Sequence, residues 1–248
     1  MKYRFLPSVL PLLFGSIALM LACTHAPMQE LTPDPPQPPV TVKETVDILC
    51  LGDSYTKGEG IVVTGNFPNQ LKDSLIQSGY TMLPGTPRII AQTGWRTDQL
   101  KTAIANATEI KDSTFSLVTL CIGVNNQYQG VNFEQYTPDF EALLQTAIAR
   151  AGGRVERVFV LSIPDWAFTP FGQNSSDPYA ISQKIDAYNA VNQQLADQYG
   201  VHYINVTPVS RQGLVRTDLV ATDKLHPSAR QYTEWIKLLL PLARTALK

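Results

Sequence analysis

The sequence predicts an α/β fold: a five-stranded parallel sheet covered by helices on both faces. Three observations predict it. Apolar runs of strand length alternate with helical patterns along most of the chain. These runs are near-continuous rather than alternating, as strands buried on both faces require. Proline, asparagine, serine and glycine stand where the intervening helices would begin and end.

Ahead of that pattern, the first segment of the 248-residue chain reads as an export signal. Lys2 and Arg4 precede an apolar run from Phe5 to Ala22, a charged region followed by a hydrophobic one. Residues 1–22 are therefore expected to be removed. The run closes on Leu19-Met20-Leu21-Ala22-Cys23, which resembles the lipobox of bacterial lipoproteins, with Met20 where leucine is more usual. The resemblance implies that Cys23 becomes the lipidated first residue. An uncleaved anchor of borderline length or simple secretion are the alternatives, and each exports the rest of the chain. Residues 23–45 are rich in proline and lack apolar periodicity, so they read as a semi-rigid tether. The expected placement is a membrane-anchored lipoprotein of the cell envelope, with residues 46–248 as one domain.

The elements of that domain come in order. Val46–Leu51 is the first strand. Asn66 and Pro68 open a helix with Leu71, Leu75 and Ile76 on one face, and Gly79 closes it. Arg88–Ala91 is the second strand, and a helix from about Thr97 carries Leu100, Ile104 and Ala107. Phe115–Ile122 is the third strand. Thr137 and Pro138 then start a helix with Phe140, Leu143, Leu144, Ala147 and Ile148 in a stripe of helical period. Val155–Ile163 is the fourth strand, followed by a helix from Asp177 and Pro178. Val201–Val206 is the fifth. The last helix begins near Ser228, where Gln231 completes a capping-box pattern.

In parallel α/β sheets, ligands bind beyond the carboxyl ends of the strands. That rule gathers five loops on one rim, and four of them carry residues suited to acyl transfer. Ser54 ends the first strand's run and is either a turn residue or a nucleophile; a serine attacks only if a base takes its proton. His226 lies on the rim just before the last helix, whereas His202 starts a strand at the opposite end and reads as structural. Asp223, three residues before His226, is at an offset from which a carboxylate can reach the imidazole, although solvated loops hold many such pairs. Gly94 and Asn125 could donate to a developing oxyanion, or serve as ordinary turn formers.

Taken together, Gly52-Asp53-Ser54-Tyr55, Gly94, Gly123-Val124-Asn125 and Asp223-Lys224-Leu225-His226-Pro227 resemble the blocks of the SGNH/GDSL hydrolase superfamily, in the family's order. Gln92 and Asn126 depart from the family's usual asparagine and aspartate. The resemblance implies a flavodoxin-like three-layer α/β/α sandwich. It implies Ser54 as nucleophile, His226 as base and Asp223 as its partner. It further implies an oxyanion hole from the Ser54 and Gly94 backbones and the Asn125 side chain, with Asp53 a structural residue. No G-x-S-x-G elbow is present, which argues against an ordinary α/β-hydrolase.

The expected substrates are carboxylic esters, with short acyl groups and O-acetyl carbohydrates favoured over lysophospholipids. Trp95, Trp166, Phe168 and Phe171 lie in rim loops, where they either contact substrate or pack the loops. A non-catalytic binding lipoprotein is the rival class. The formal net charge of −1 includes no basic stripe, so nucleic acid is not an expected partner. No Cys/His spacing suits zinc, and no cofactor is expected. Cys50 and Cys121 read as buried thiols rather than a disulfide.

Overall fold

The computed structural model describes residues 45–248. The signal segment 1–22, Cys23 and the tether up to residue 44 lie outside the described residues. At the start, β1 (Thr45–Val46) pairs with β3 (Thr81–Met82) as a small parallel sheet. The main sheet contains β2 (Ile48–Gly52), β4 (Arg88–Ala91), β5 (Leu117–Cys121), β6 (Val158–Leu161) and β7 (His202–Ile204). All its pairings are parallel, and the order is β4-β2-β5-β6-β7. Renumbered within that sheet, the order is 2-1-3-4-5, the flavodoxin-like arrangement.

The helices take up both faces. On one, α2 (Phe67–Gln77) packs on α8 (Ala229–Ala246). On the other, α3 (Thr97–Asn106) packs on α5 (Phe133–Arg150), which packs on α6 (Pro178–Tyr199). The central strands β2, β5 and β6 are buried along their whole length, which is why they read as unbroken apolar runs. The core on the α2/α8 side closes around Phe67, Tyr232 and Trp235, all without exposed surface. Removing each such side chain from water contributes about 2–3 kcal/mol. Cys50 and Cys121 are buried free thiols on neighbouring strands.

Several boundaries differ from the sequence expectation, each for a local reason. The first strand is split at Asp47, whose carboxylate accepts bonds from the Ser116 backbone at 2.7 Å and its hydroxyl at 3.0 Å. The fourth is shorter than Val155–Ile163, because Val155–Arg157 form a 3-10 turn. α5 starts a turn before Thr137. Asn132 caps it by accepting from the Glu134 N–H at 3.0 Å, and Pro138 sits inside, forgoing one backbone bond. The additional turn buries Tyr136 completely. At α8, Ser228 caps Gln231 as expected, but the Gln231 amide turns to the Leu219 carbonyl, so only half of the capping box forms. His202 stacks on Phe159 with ring centroids 4.9 Å apart.

Candidate active site

Two short helices, invisible in the hydrophobic pattern, start directly after the central strands. α1 (Ser54–Lys57) follows β2, and α4 (Val124–Tyr128) follows β5. Asp53 caps α1 by accepting from the Tyr55 N–H at 3.0 Å. This places Ser54 at the first helical position, where a backbone N–H has no intrahelical acceptor. Gly52 admits no side chain: a Cβ there would lie 2.4 Å from the Cys121 carbonyl oxygen and 2.1 Å from Thr56 Oγ1. β2 and β5 are also the strands between which the sheet order reverses. Ser54 and Asn125 therefore flank the crevice where such folds bind ligands.

His226 arrives from a tight loop. Its carbonyl accepts from the Ala221 N–H at 2.8 Å, and Val220 bridges Pro227. Within the loop, Asp223 Oδ1 accepts from the Leu225 and His226 N–H groups at 2.9 and 3.0 Å. Lys224 adopts a left-handed φ of 67° to permit that turn. The other carboxylate oxygen, Asp223 Oδ2, lies 2.7 Å from His226 Nδ1, and His226 Nε2 lies 3.1 Å from Ser54 Oγ. Partial burial acts to raise the Asp223 carboxyl, but the two N–H donors and the imidazole outweigh it and hold the group below its usual value. The Tyr55 ring meets the imidazole edge-on, with centroids 5.8 Å apart.

Gly94 and Asn125 reach the same place. Gln92–Trp95 form a turn closed by the Trp95 N–H on the Gln92 carbonyl, and Gly94 supplies the positive φ of 85° that it needs. The Asn125 amide donates to the Trp95 carbonyl at 2.9 Å. An amide nitrogen has two hydrogens, so one remains for a ligand. Asn126, the departure from the family pattern, is buried: it accepts from the Thr97 N–H at 3.1 Å and donates to the Thr97 hydroxyl at 2.8 Å.

Ser54, Gly94, Asn125 and His226 line one cleft of about 260 Å³, whose apolar wall is Val124, Tyr128, Trp166 and Leu225. The four aromatic residues singled out in the sequence separate. Trp166 lines the cleft, with its indole N–H fixed on Gln127 Oε1 at 2.8 Å. Trp95 packs against the core, and its carbonyl accepts from the Asn125 amide. Phe171 belongs to an adjoining concavity, and Phe168 to a different groove with Tyr179 and Arg211. The sequence reading missed Tyr128. It stands three residues after Asn125, and that spacing on a helical turn would have put it on the same side. Among the described residues, no group of three or more His, Cys, Asp or Glu side chains could hold a metal ion.

A family model described as "GDSL-like Lipase/Acylhydrolase family" matches residues 50–233. Several solved structures share the fold at low identity. TesA is 17% identical with a TM-score of 0.61, the match covering 81% of this chain and 99% of that one. Axe2, an acetylxylan esterase from Geobacillus stearothermophilus, is 14% identical with a TM-score of 0.56, over 84% and 96%. The psychrotrophic esterase EstA from Pseudoalteromonas sp., inhibited by monoethylphosphonate, is 14% identical with a TM-score of 0.58, over 81% and 98%. No curated protein sequence matches.

Proposed function

The chain belongs to the GDSL-like lipase/acylhydrolase family, and on that premise we propose that it is a serine esterase cleaving carboxylic esters of short acyl groups, O-acetylated carbohydrates among them. One observation carries the reading. Asp223, His226 and Ser54 form an unbroken line, with contacts of 2.7 and 3.1 Å, that ends in a cleft able to receive an ester. Ser54 Oγ attacks the acyl carbon while His226 Nε2 takes its proton. Asp223 fixes the imidazole through Nδ1 and stabilises its protonated form. The Ser54 and Gly94 N–H groups and the Asn125 amide hold the oxyanion; each such donor contributes about 3 kcal/mol. The alcohol leaves with the proton from His226, and water then releases the acid by the same steps.

The similarity to an acetylxylan esterase and to other esterases supports this reading. A lipase-like acylhydrolase for longer chains is the second reading, favoured by the apolar wall of Val124, Tyr128, Trp166 and Leu225. A serine-reactive fluorophosphonate combined with nitrophenyl esters of rising chain length tests both. The expected result is labelling at Ser54, absent in Ser54→Ala, with turnover greatest for acetyl. A maximum at long chains selects the second reading. A wild-type protein that neither labels nor hydrolyses is a non-catalytic binder.

The proposal extends to placement: Cys23 is lipidated and residues 23–45 tether the domain at the cell envelope. A labelled fatty acid should enter the full chain and be lost in Cys23→Ser. Label retained in that variant would end the assignment.

A further inference from the structure

A second concavity, of about 270 Å³, adjoins the Ser54 cleft and shares the Tyr128 and Trp166 walls with it. Phe171, Asn174 and Ser175 complete it. Trp166 is buried and links the other two rings. The Tyr128 and Trp166 centroids are 5.4 Å apart and meet edge-on, while Trp166 and Phe171 are 6.1 Å apart. Tyr128 is 57% exposed and Phe171 40% exposed, so both keep apolar ring surface in water. Aromatic faces beside a few polar groups in a concavity are the lining that ligand pockets use.

The surface is also held in place. The indole of Trp166 is locked on Gln127, and the Phe171 N–H donates to the Lys224 carbonyl at 3.0 Å. Lys224 lies between Asp223 and His226, so Phe171 is tied to the loop that presents the imidazole.

The two concavities differ in chemistry as the two ends of an ester differ. The Ser54 cleft is mostly apolar and suits an acyl group. The neighbouring one combines ring faces with the Asn174 amide and the Ser175 hydroxyl. A sugar ring has the matching character: C–H faces that lie on aromatic rings, and a rim of hydroxyls that pair with amides and hydroxyls.

Resting on the serine-esterase reading above, we propose that this second concavity is the alcohol-side subsite and takes a sugar ring, making the substrate class a sugar O-acyl ester. Ser54 Oγ adds to the acyl carbon as His226 Nε2 takes its proton, and the bond from that carbon to the sugar oxygen breaks when the oxyanion collapses. The sugar ring rests against Tyr128 and Phe171 while its departing oxygen, beside His226, takes the proton from Nε2.

The test compares kcat/KM for an acetylated methyl glycoside with that for ethyl acetate, whose alcohol has no ring to rest on Phe171. It uses the full-length protein, Phe171→Ala and Phe171→Trp. In Phe171→Ala the ratio of sugar ester to ethyl acetate should fall about tenfold, the value of one good ring contact. In Phe171→Trp, which keeps a ring face, it should stay within about twofold of wild type. An unchanged ratio in Phe171→Ala, or the same fall in both variants, overturns the subsite. Wild type that hydrolyses ethyl acetate but not the glycoside overturns it as well. Wild type that hydrolyses neither ester defeats the esterase reading beneath it.

Discussion

Asp53 and Asp165 sit at the same rim of the sheet, at the ends of β2 and β6, and are 1% and 0% exposed. Their surroundings are opposite. Asp165 accepts from the Ala167 N–H at 3.1 Å and from Arg211 Nε at 2.9 Å, and Arg211 continues to Asp186 at 2.7 Å. Around it, Ser162, Asn189, Thr207 and Ser210 satisfy one another and the backbone. Asp53 has the Tyr55 N–H on one oxygen, and its other oxygen has no hydrogen-bond partner among the described residues. Burial pushes the Asp53 carboxyl up to about 7, against an ordinary 3.8, with backbone groups of Tyr55, Asp53 and Gly123 pulling it back. The β6–β7 half of the rim neutralises its buried carboxylate and fastens a long loop. The β2–β5 half leaves its buried carboxyl without a cationic partner among the described residues, directly beneath the serine.

On the esterase reading proposed above, activity should depend on one half and stability on the other. Ser54→Ala gives the largest expected effect: kcat/KM for an acetyl ester falls on the order of 10⁴-fold or more, while the melting temperature stays near wild type. A large drop in melting temperature would mean that this half also holds the fold together. Next is Arg211→Ala, which leaves Asp165 buried and unpaired. Denaturant unfolding should show a loss of about 3–5 kcal/mol, with turnover per folded molecule little changed. A loss confined to turnover would reverse the comparison.

The smallest effect sharpens the contrast through pH. A buried carboxyl with a raised value favours its protonated form in the folded state. The Asp53 contribution is therefore full below about pH 4 and is lost as pH rises through about 7. Through this group alone the folded state should lose stability on the order of a few kcal/mol over that range. Asp53→Asn keeps the acceptor for the Tyr55 N–H and carries no titratable proton, so urea midpoints measured across the same range should lack that slope. An identical slope in the variant would place its source elsewhere.

Legibility tracked the range of the interactions. β2, β5 and β6 were readable because double-sided burial leaves an unbroken apolar run. α1 and α4 were not, since four or five residues cannot display a helical stripe; each exists because a strand has just ended on a crowded glycine or a turn. Asp223 and His226 could be paired on paper because one turn of chain connects them. Phe168 and Phe171 could not be told apart. They lie three positions apart, yet 3-10 turns at Trp166–Phe168 and Gly172–Asn174 send them to different concavities.

The sequence by itself determined the succession of the five main-sheet strands and the long helices between them, the rim on which each polar residue emerges, and the offset from which Asp223 can reach His226. All of these depend on periodicity or on bonds spanning a few residues. Only the tertiary structure decided that β2 lies between β4 and β5, and that Ser54 Oγ meets an imidazole 172 positions away at 3.1 Å. It alone gave Asp165 an arginine and left Asp53 with backbone donors. Such approaches depend on how α2 and α8 pack across the sheet, because non-local contacts are fixed by burying whole faces and no short stretch of chain encodes them.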